Sequence, residues 1–278
     1  MTFNYRIEHC AYHINEETPY QSVFSSEEYH DLVALCKQVF GKNFTNGSGV
    51  RLDACIDSNG KSLLQMSAVR FYDFLLSNFV LFNYGKIHFA ANEQQAAALE
   101  KLMQVFTADG YPTSVEDIAG RTYLANTIAI SLLVRDKTGA FLLTKRSNNV
   151  GISSGFVSVK VTGAVDWDDL RSADPIRFCC CREMLEEMNY TLDSDCVHPF
   201  MIVCGEKKLQ PIVLVDATVD DIHELVAALT HHKGFAEENS GYAVCSSADI
   251  RKLLNDTTVQ ITEAARTHLE NAICHGPL

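Results

Sequence analysis

The stretch Arg182-Glu183-Met184-Leu185-Glu186-Glu187-Met188-Asn189-Tyr190 sets the tightest condition on any fold this chain adopts. It closes a helix-compatible run from Ile176, and Asn189 tolerates the left-handed conformation that ends a helix. Helical positions three and four apart share a face. Glu183, Glu186 and Glu187 therefore point one way, with Arg182 one turn before Glu186. Met184, Leu185 and Met188, with Ile176 and Cys181, lie largely on the other side and have to be seated in a core. The three acids repel one another unless a cation lies among them. An oxygen donor set of this kind suits a hard divalent ion, commonly Mg²⁺ held by a few carboxylates together with substrate phosphates. The same spacing also describes a solvated acidic face, with Arg182 as the i, i+4 partner of Glu186.

The elements around this stretch follow from periodicity and turn chemistry. Residues 27–40 carry Leu32, Leu35, Cys36 and Val39 at helical spacing, with Ser25 or Ser26 as cap. Residues 43–49 read as a loop. Residues 50–57 and 62–69 alternate and are separated by Ser58-Asn59-Gly60-Lys61, which predicts a hairpin. The apolar run 71–82 reads as helix in its first half. Residues 92–106 form a helix with Asn92 as N-cap and Gln95 in the capping-box position. Residues 107–122 are polar and turn-rich, which places a domain boundary there. Beyond it, strands are predicted at 127–135, 140–146 and 155–165, then Gly163 and a loop holding Asp166, Asp168, Asp169 and Asp174. Pro175 suits the first turn of the acidic helix. Strands at 199–204 and 209–216 follow, then helices at 220–229, 247–254 and 262–274. The pattern predicts an α+β chain, with a smaller α+β domain over 1–122 and a second α+β sandwich over 123–278.

Composition enters through the cation. The chain has 278 residues and a formal charge of −12, with 23 basic and 35 acidic residues. Nucleic-acid polymers and anionic membranes call for a basic footprint, so neither is an expected partner. A small anionic substrate remains compatible if metal ions supply positive charge. None of the ten cysteines forms a Cys-x-x-Cys pair, and Cys179, Cys180 and Cys181 are consecutive. They read as small buried hydrophobes in a reducing compartment. The N-terminus lacks an apolar signal core and no apolar run reaches about 18 residues, so a cytoplasmic location is expected. A homodimer is left open.

A strand, a glycine, an acidic loop and Arg-Glu-aliphatic-x-Glu-Glu at a helix end resemble the Nudix box of the Nudix hydrolases. The box runs Gly, five residues, Glu, seven residues, Arg-Glu-U-x-Glu-Glu-x-Gly-U, with U bulky and apolar. Arg182, Glu183, Met184, Glu186, Glu187 and Tyr190 match in place. Asp174 stands where the earlier glutamate would be, and Asn189 where the second glycine would be. Gly163 is the counterpart of the first glycine, displaced by five extra loop residues, since that position falls at Asp168.

The resemblance covers about residues 123–278 and implies a Nudix-type α/β/α sandwich. It further implies Mg²⁺- or Mn²⁺-dependent hydrolysis of a diphosphate linkage in a nucleoside diphosphate joined to another moiety. Glu183, Glu186 and Glu187 match the family's ligand positions, and a backbone carbonyl at Thr162 or Gly163 is a further expected ligand. Arg182 is expected to orient the glutamates, with Asp174 as its second partner. Glu237 and Glu238, in a later loop, are candidates for a general base and equally read as solvated acids. Lys145 and Arg146, at a strand end, could reach phosphate oxygens or pair with neighbouring acids. No histidine has ligand spacing, and His231 and His232 are adjacent. A Nudix-fold module that binds a nucleotide or sugar-nucleotide without cleaving it is the alternative, but it would need none of the three carboxylates. An allylic diphosphate isomerase of related fold would need a Cys and Glu pair, and no cysteine is suitably placed.

Overall fold

The computed structural model describes residues 2–58, 60–147, 155–159, 161–206, 208–229 and 239–275. The chain is α+β and divides into two compact units. The first comprises Met1–Ile128, Val165–Ala173 and Ile202–Pro211; the second comprises Ala129–Ala164, Asp174–Met201 and Ile212–Leu278. Among the described residues no helix is long and apolar enough to cross a membrane.

In the first unit, strands β1 (Thr2–Arg6) and β2 (Ala11–Ile14) precede helix α1 (Ser26–Phe40). Ser25 and Glu28 close a capping box at its start, and Gly41 at φ 61° ends it. The predicted hairpin is β3 (Ser48–Ser58) with β4 (Lys61–Arg70), and β2 runs parallel to β4. The register of β3 shifts between Leu52 and Ala54, leaving Asp53 as the extra residue of a bulge. Asp53 accepts from Arg51 Nη1 at 2.6 Å, Ser67 Oγ at 2.8 Å and Asn15 Nδ2 at 2.5 Å. Residues 71–82 are helical throughout rather than in their first half, as α2 (Phe71–Phe74), a π-helical turn (Leu75–Phe79) and α3 (Val80–Phe82). The π turn buries Asn78, which donates to Asn126 Oδ1 and Leu209 O while accepting from Asn126 N. Helices α4 (Tyr84–Ala90), α5 (Glu93–Asp109) and α6 (Val115–Gly120) complete the unit. Asn92 and Gln95 form the capping box expected of α5. Leu32, Leu52, Leu64, Met66, Leu75, Ile87, Leu99 and Leu102 are fully buried in its core.

By sequence Asp166, Asp168 and Asp169 read as solvated loop acids; Asp168 is exposed, but at Asp166 and Asp169 the structure differs. Asp169 is fully buried and accepts from Asp166 N at 2.8 Å, while Asp166 accepts from Ser48 Oγ at 2.6 Å. Carboxylates in this loop satisfy backbone and hydroxyl donors, which acidity along a sequence does not reveal.

In the second unit, β5 (Ala129–Asp136) and β6 (Phe141–Arg146) form the predicted hairpin. Their register pairs are Val134↔Leu142 and Arg135↔Phe141. Beyond these pairs the strand expected over 155–165 divides in two. β7 (Val157–Val159) pairs with β6, and β8 (Val161–Ala164) pairs with β5. After helix α7 (Pro175–Met188) come β9 (Val197–Gly205) and β10 (Pro211–Val219), with β10 parallel to β5. Helix α8 (Ile222–Leu229) follows, then β11 (Asn239–Cys245) antiparallel to β6, and helices α9 (Ser247–Asn255) and α10 (Glu263–His275). Leu133, Phe141, Leu143 and Val159 pack with Ile250, Ala265 and Leu269, so one sheet face carries α9 and α10. Ile130, at odd spacing from Leu133, points to the other face, and its register partner is Gly163. That second face receives α7, giving three layers.

Candidate functional site

Helix α7 is bounded by local chemistry. Asp174 caps its N-terminus by accepting from Arg177 N at 3.0 Å, and Pro175 occupies the first helical turn, where a missing N–H costs nothing. At the other end Asn189 adopts φ 51° and ψ 38°, and its N–H donates to Leu185 O at 3.0 Å. Ile176, Cys180, Met184 and Met188, four residues apart, are buried together with Cys179. Leu185, expected on this apolar back, is instead 51% exposed, as the rotation of about 100° per residue from Met184 requires.

Arg182 connects this helix to β8. Its Nη1 donates to Glu183 Oε1 at 2.8 Å and Glu186 Oε2 at 3.2 Å, and its Nη2 donates to Ala164 O at 3.1 Å and Cys179 Sγ at 3.5 Å. One guanidinium thus holds two of the three acids while binding a strand carbonyl. The Glu183 side chain is 13% exposed and occupies the space above Gly163. A Cβ at Gly163 would stand 2.1 Å from Glu183 Cδ. Glycine is needed here for close approach rather than for backbone freedom. Glu186 is 58% exposed, and Glu187, half-buried, follows Glu183 by one turn.

The structure therefore brings Gly163, Arg182, Glu183 and Glu186 together through direct contacts. The strand carbonyl engaged by the helix is that of Ala164, which spacing alone did not single out. Arg146, half-buried, donates to Thr162 Oγ1 at 3.4 Å, and Lys145 beside it is exposed. Glu237, Glu238, His231 and His232 lie outside the described residues. Burial pushes the Cys181 thiol up from its ordinary pKa, with Asp193 adding to the shift; Cys245 is raised by burial and then by Asp249. Both thiols are thereby kept protonated and poorly nucleophilic.

Three carboxylates and a nearby strand carbonyl are hard oxygen donors of the type that Mg²⁺ and Mn²⁺ take. Glu183 already lies where an absent side chain admits it, so the residues present fit such an ion in kind. In their present rotamers they do not enclose one. Among the described residues no three His, Cys, Asp or Glu side chains are gathered so as to hold a metal. Arg182, by drawing Glu183 and Glu186 to itself, accounts for part of that.

No protein-family model and no curated protein matches the chain. Among solved structures, a MutT protein from Methanosarcina mazei Go1 is similar over 52% of this chain and 90% of its own, with 22% identity and a TM-score of 0.36. A Nudix hydrolase from Alicyclobacillus acidocaldarius is similar over 53% of this chain and 90% of its own, with 12% identity and a TM-score of 0.40. A MutT Nudix hydrolase from Burkholderia pseudomallei covers 51% and 95%, with 17% identity and a TM-score of 0.35. The chain is thus similar over about half its length to solved Nudix and MutT structures, while its chemistry has to be judged from Arg182, Glu183 and Gly163 themselves.

Proposed function

We propose that this chain is a divalent-metal-dependent hydrolase that cleaves a diphosphate linkage in a nucleoside diphosphate joined to another moiety. The observation that carries this reading is Glu183 seated over Gly163 and held, with Glu186, by Arg182. Glu183, Glu186 and Glu187 would hold Mg²⁺ or Mn²⁺, with a carbonyl of the Thr162–Gly163 stretch as a further donor. A bound ion of this kind supplies charge neutralisation for the diphosphate and acidifies water near neutral pH. Arg182 orients two carboxylates and offsets part of their repulsion, so the acidic face can exist before any cation arrives. Gly163 keeps β8 close enough for Glu183 to lie across it.

Nucleoside diphosphate sugars, ADP-ribose, dinucleotides, CoA and nucleoside triphosphates, each with Mg²⁺ or Mn²⁺, form the test panel. Wild type is expected to turn over at least one member, and Glu187→Gln to lower kcat by about 100-fold or more. Unchanged turnover in Glu187→Gln, or none by wild type, overturns the hydrolase. With Glu183 and Glu186 already paired to Arg182, a second reading is a module that binds a nucleotide without cleaving it. Tight binding of a panel member without product would select that reading.

A further inference from the structure

Strand β11 ends the sheet within the second unit: its register partners lie on β6, and among the described residues no strand runs along its other side. Alternate residues of such a strand turn their N–H and C=O groups away from the sheet, where another strand can take them up. Sheet edges are usually guarded by charge, proline, a bulge or a covering element. Residues 239–248, Asn-Ser-Gly-Tyr-Ala-Val-Cys-Ser-Ser-Ala, hold neither a charge nor a proline. The register shift between Asn239 and Gly241 is a bulge, but it distorts the start of the strand alone, where Ser240 Oγ donates to Lys145 O at 3.3 Å. From Gly241 to Cys245 the register with β6 is unbroken. Ser240 and Ala243 are exposed, and Tyr242 is 43% exposed. Ala243 is the register partner of Leu143, so it stands with Gly241 and Cys245 on the face that carries α9 and α10. Tyr242 and Val244, partners of Thr144 and Leu142, stand on the opposite face.

We propose that β11 is a self-association edge, at which a second copy of this chain adds its own β11 antiparallel and continues the sheet across a two-fold axis. Antiparallel addition of a strand to itself is an isologous contact, and it closes at a dimer. Centred on Tyr242, the pairing sets this ring beside the same ring of the second copy, and Gly241 opposite Ala243. Paired aromatic side chains are favourable cross-strand neighbours. Charge argues for a copy of this chain as the occupant. The chain carries −12, so two copies repel wherever their acids meet. The uncharged β11 edge is a surface on which they can meet without setting acid against acid. The same neutrality gives a charged peptide from another protein nothing to select. This edge involves no residue of α7, so it stands apart from the hydrolase reading.

Analytical ultracentrifugation of the full-length protein from about 1 μM to about 500 μM provides the test. Wild type is expected to move from the 30.9 kDa of one chain toward twice that mass as its concentration rises. Ala243→Asp and Ala243→Lys, each studied alone, are expected to remain single chains, because like charges would then face one another across the axis. Mixing the two should restore a dimer that contains one of each, with circular dichroism spectra that match wild type. Wild type that stays a single chain throughout the range overturns the proposal. A dimer that both variants form as readily as wild type also overturns it, since another surface would then hold the copies together. Should either Ala243 variant fail to fold, Gly241→Asp and Gly241→Lys decide by the same criterion, at a position where an added Cβ meets nothing within 4 Å.

Discussion

Glu183 and Gly163 form the most closely fitted pair in the candidate site. Replacing the Gly163 hydrogen by a methyl puts a carbon where the Glu183 carboxyl now lies, at 2.1 Å from Cδ. The obstructed group is the far part of a flexible side chain, so the carboxylate moves and the strand stays. Gly163→Ala is accordingly expected to change Tm by only a few degrees, an effect within about 1 kcal/mol. Its Mn²⁺ affinity should fall about tenfold or more, since Glu183 would lose both its seat and its bond from Arg182. Calorimetric titration beside a thermal melt distinguishes the two effects. Unchanged Mn²⁺ affinity would remove Glu183 from the proposed ligand set.

Helix α7 was legible as an element because its ends carry their own chemistry: Asp174 and Pro175 at the start, Asn189 at the stop. At φ 51° a β-carbon costs energy that asparagine partly recovers through local hydrogen bonding and glycine avoids. Asn189→Ala is expected to lower stability by about 1 kcal/mol, and Asn189→Gly to be neutral or slightly stabilising, in urea unfolding. Equal losses in both would mean that the asparagine side chain, not the left-handed backbone, matters. Other elements were less legible. Val157, Val159 and Val161 alternate as one strand would, yet β7 and β8 pair with different neighbours. Alternation records which face a side chain takes, and it says nothing of which strand lies alongside. The strands β1 and β2 are short and partly exposed, so they carry no strong period.

At the scale of the molecule, Arg51 closes the first unit. It is 1% exposed and donates to Leu124 O, Ala119 O and Arg121 O at 3.0 Å each, besides its bond to Asp53. Burial pulls the guanidinium's pKa down and Asp53 pulls it back. Arg51→Ala would take the guanidinium's bonds from Leu124 O, Ala119 O and Arg121 O and leave the buried Asp53 carboxylate without its cation, and a loss of about 3–5 kcal/mol is expected. The urea midpoint should fall accordingly, and Arg51→Lys should recover little, because an ammonium cannot reproduce the fork. A loss below about 1 kcal/mol would show that water replaces the guanidinium at small cost.

Helix periods, the Asn59-Gly60 hairpin, the capping boxes of α1 and α5, and the acid spacing on α7 depend on residues within a few positions of one another. The amino-acid sequence determined these alone, and with them the α+β class and the chemical character of the helix face. What only the tertiary structure decided involves distant partners: Trp167 on Gly49, Asn78 on Leu209, Ala164 as the carbonyl bound by Arg182, and Glu183 in the space left by Gly163. Close approach and hydrogen-bond satisfaction between residues as many as 131 positions apart depend on how the whole chain packs, and no local period encodes them. Three carboxylates with the spacing for a cation, and Gly163 on the strand before them, were visible in the sequence; that Glu183 lies over Gly163 and that Arg182 binds Ala164 O were not.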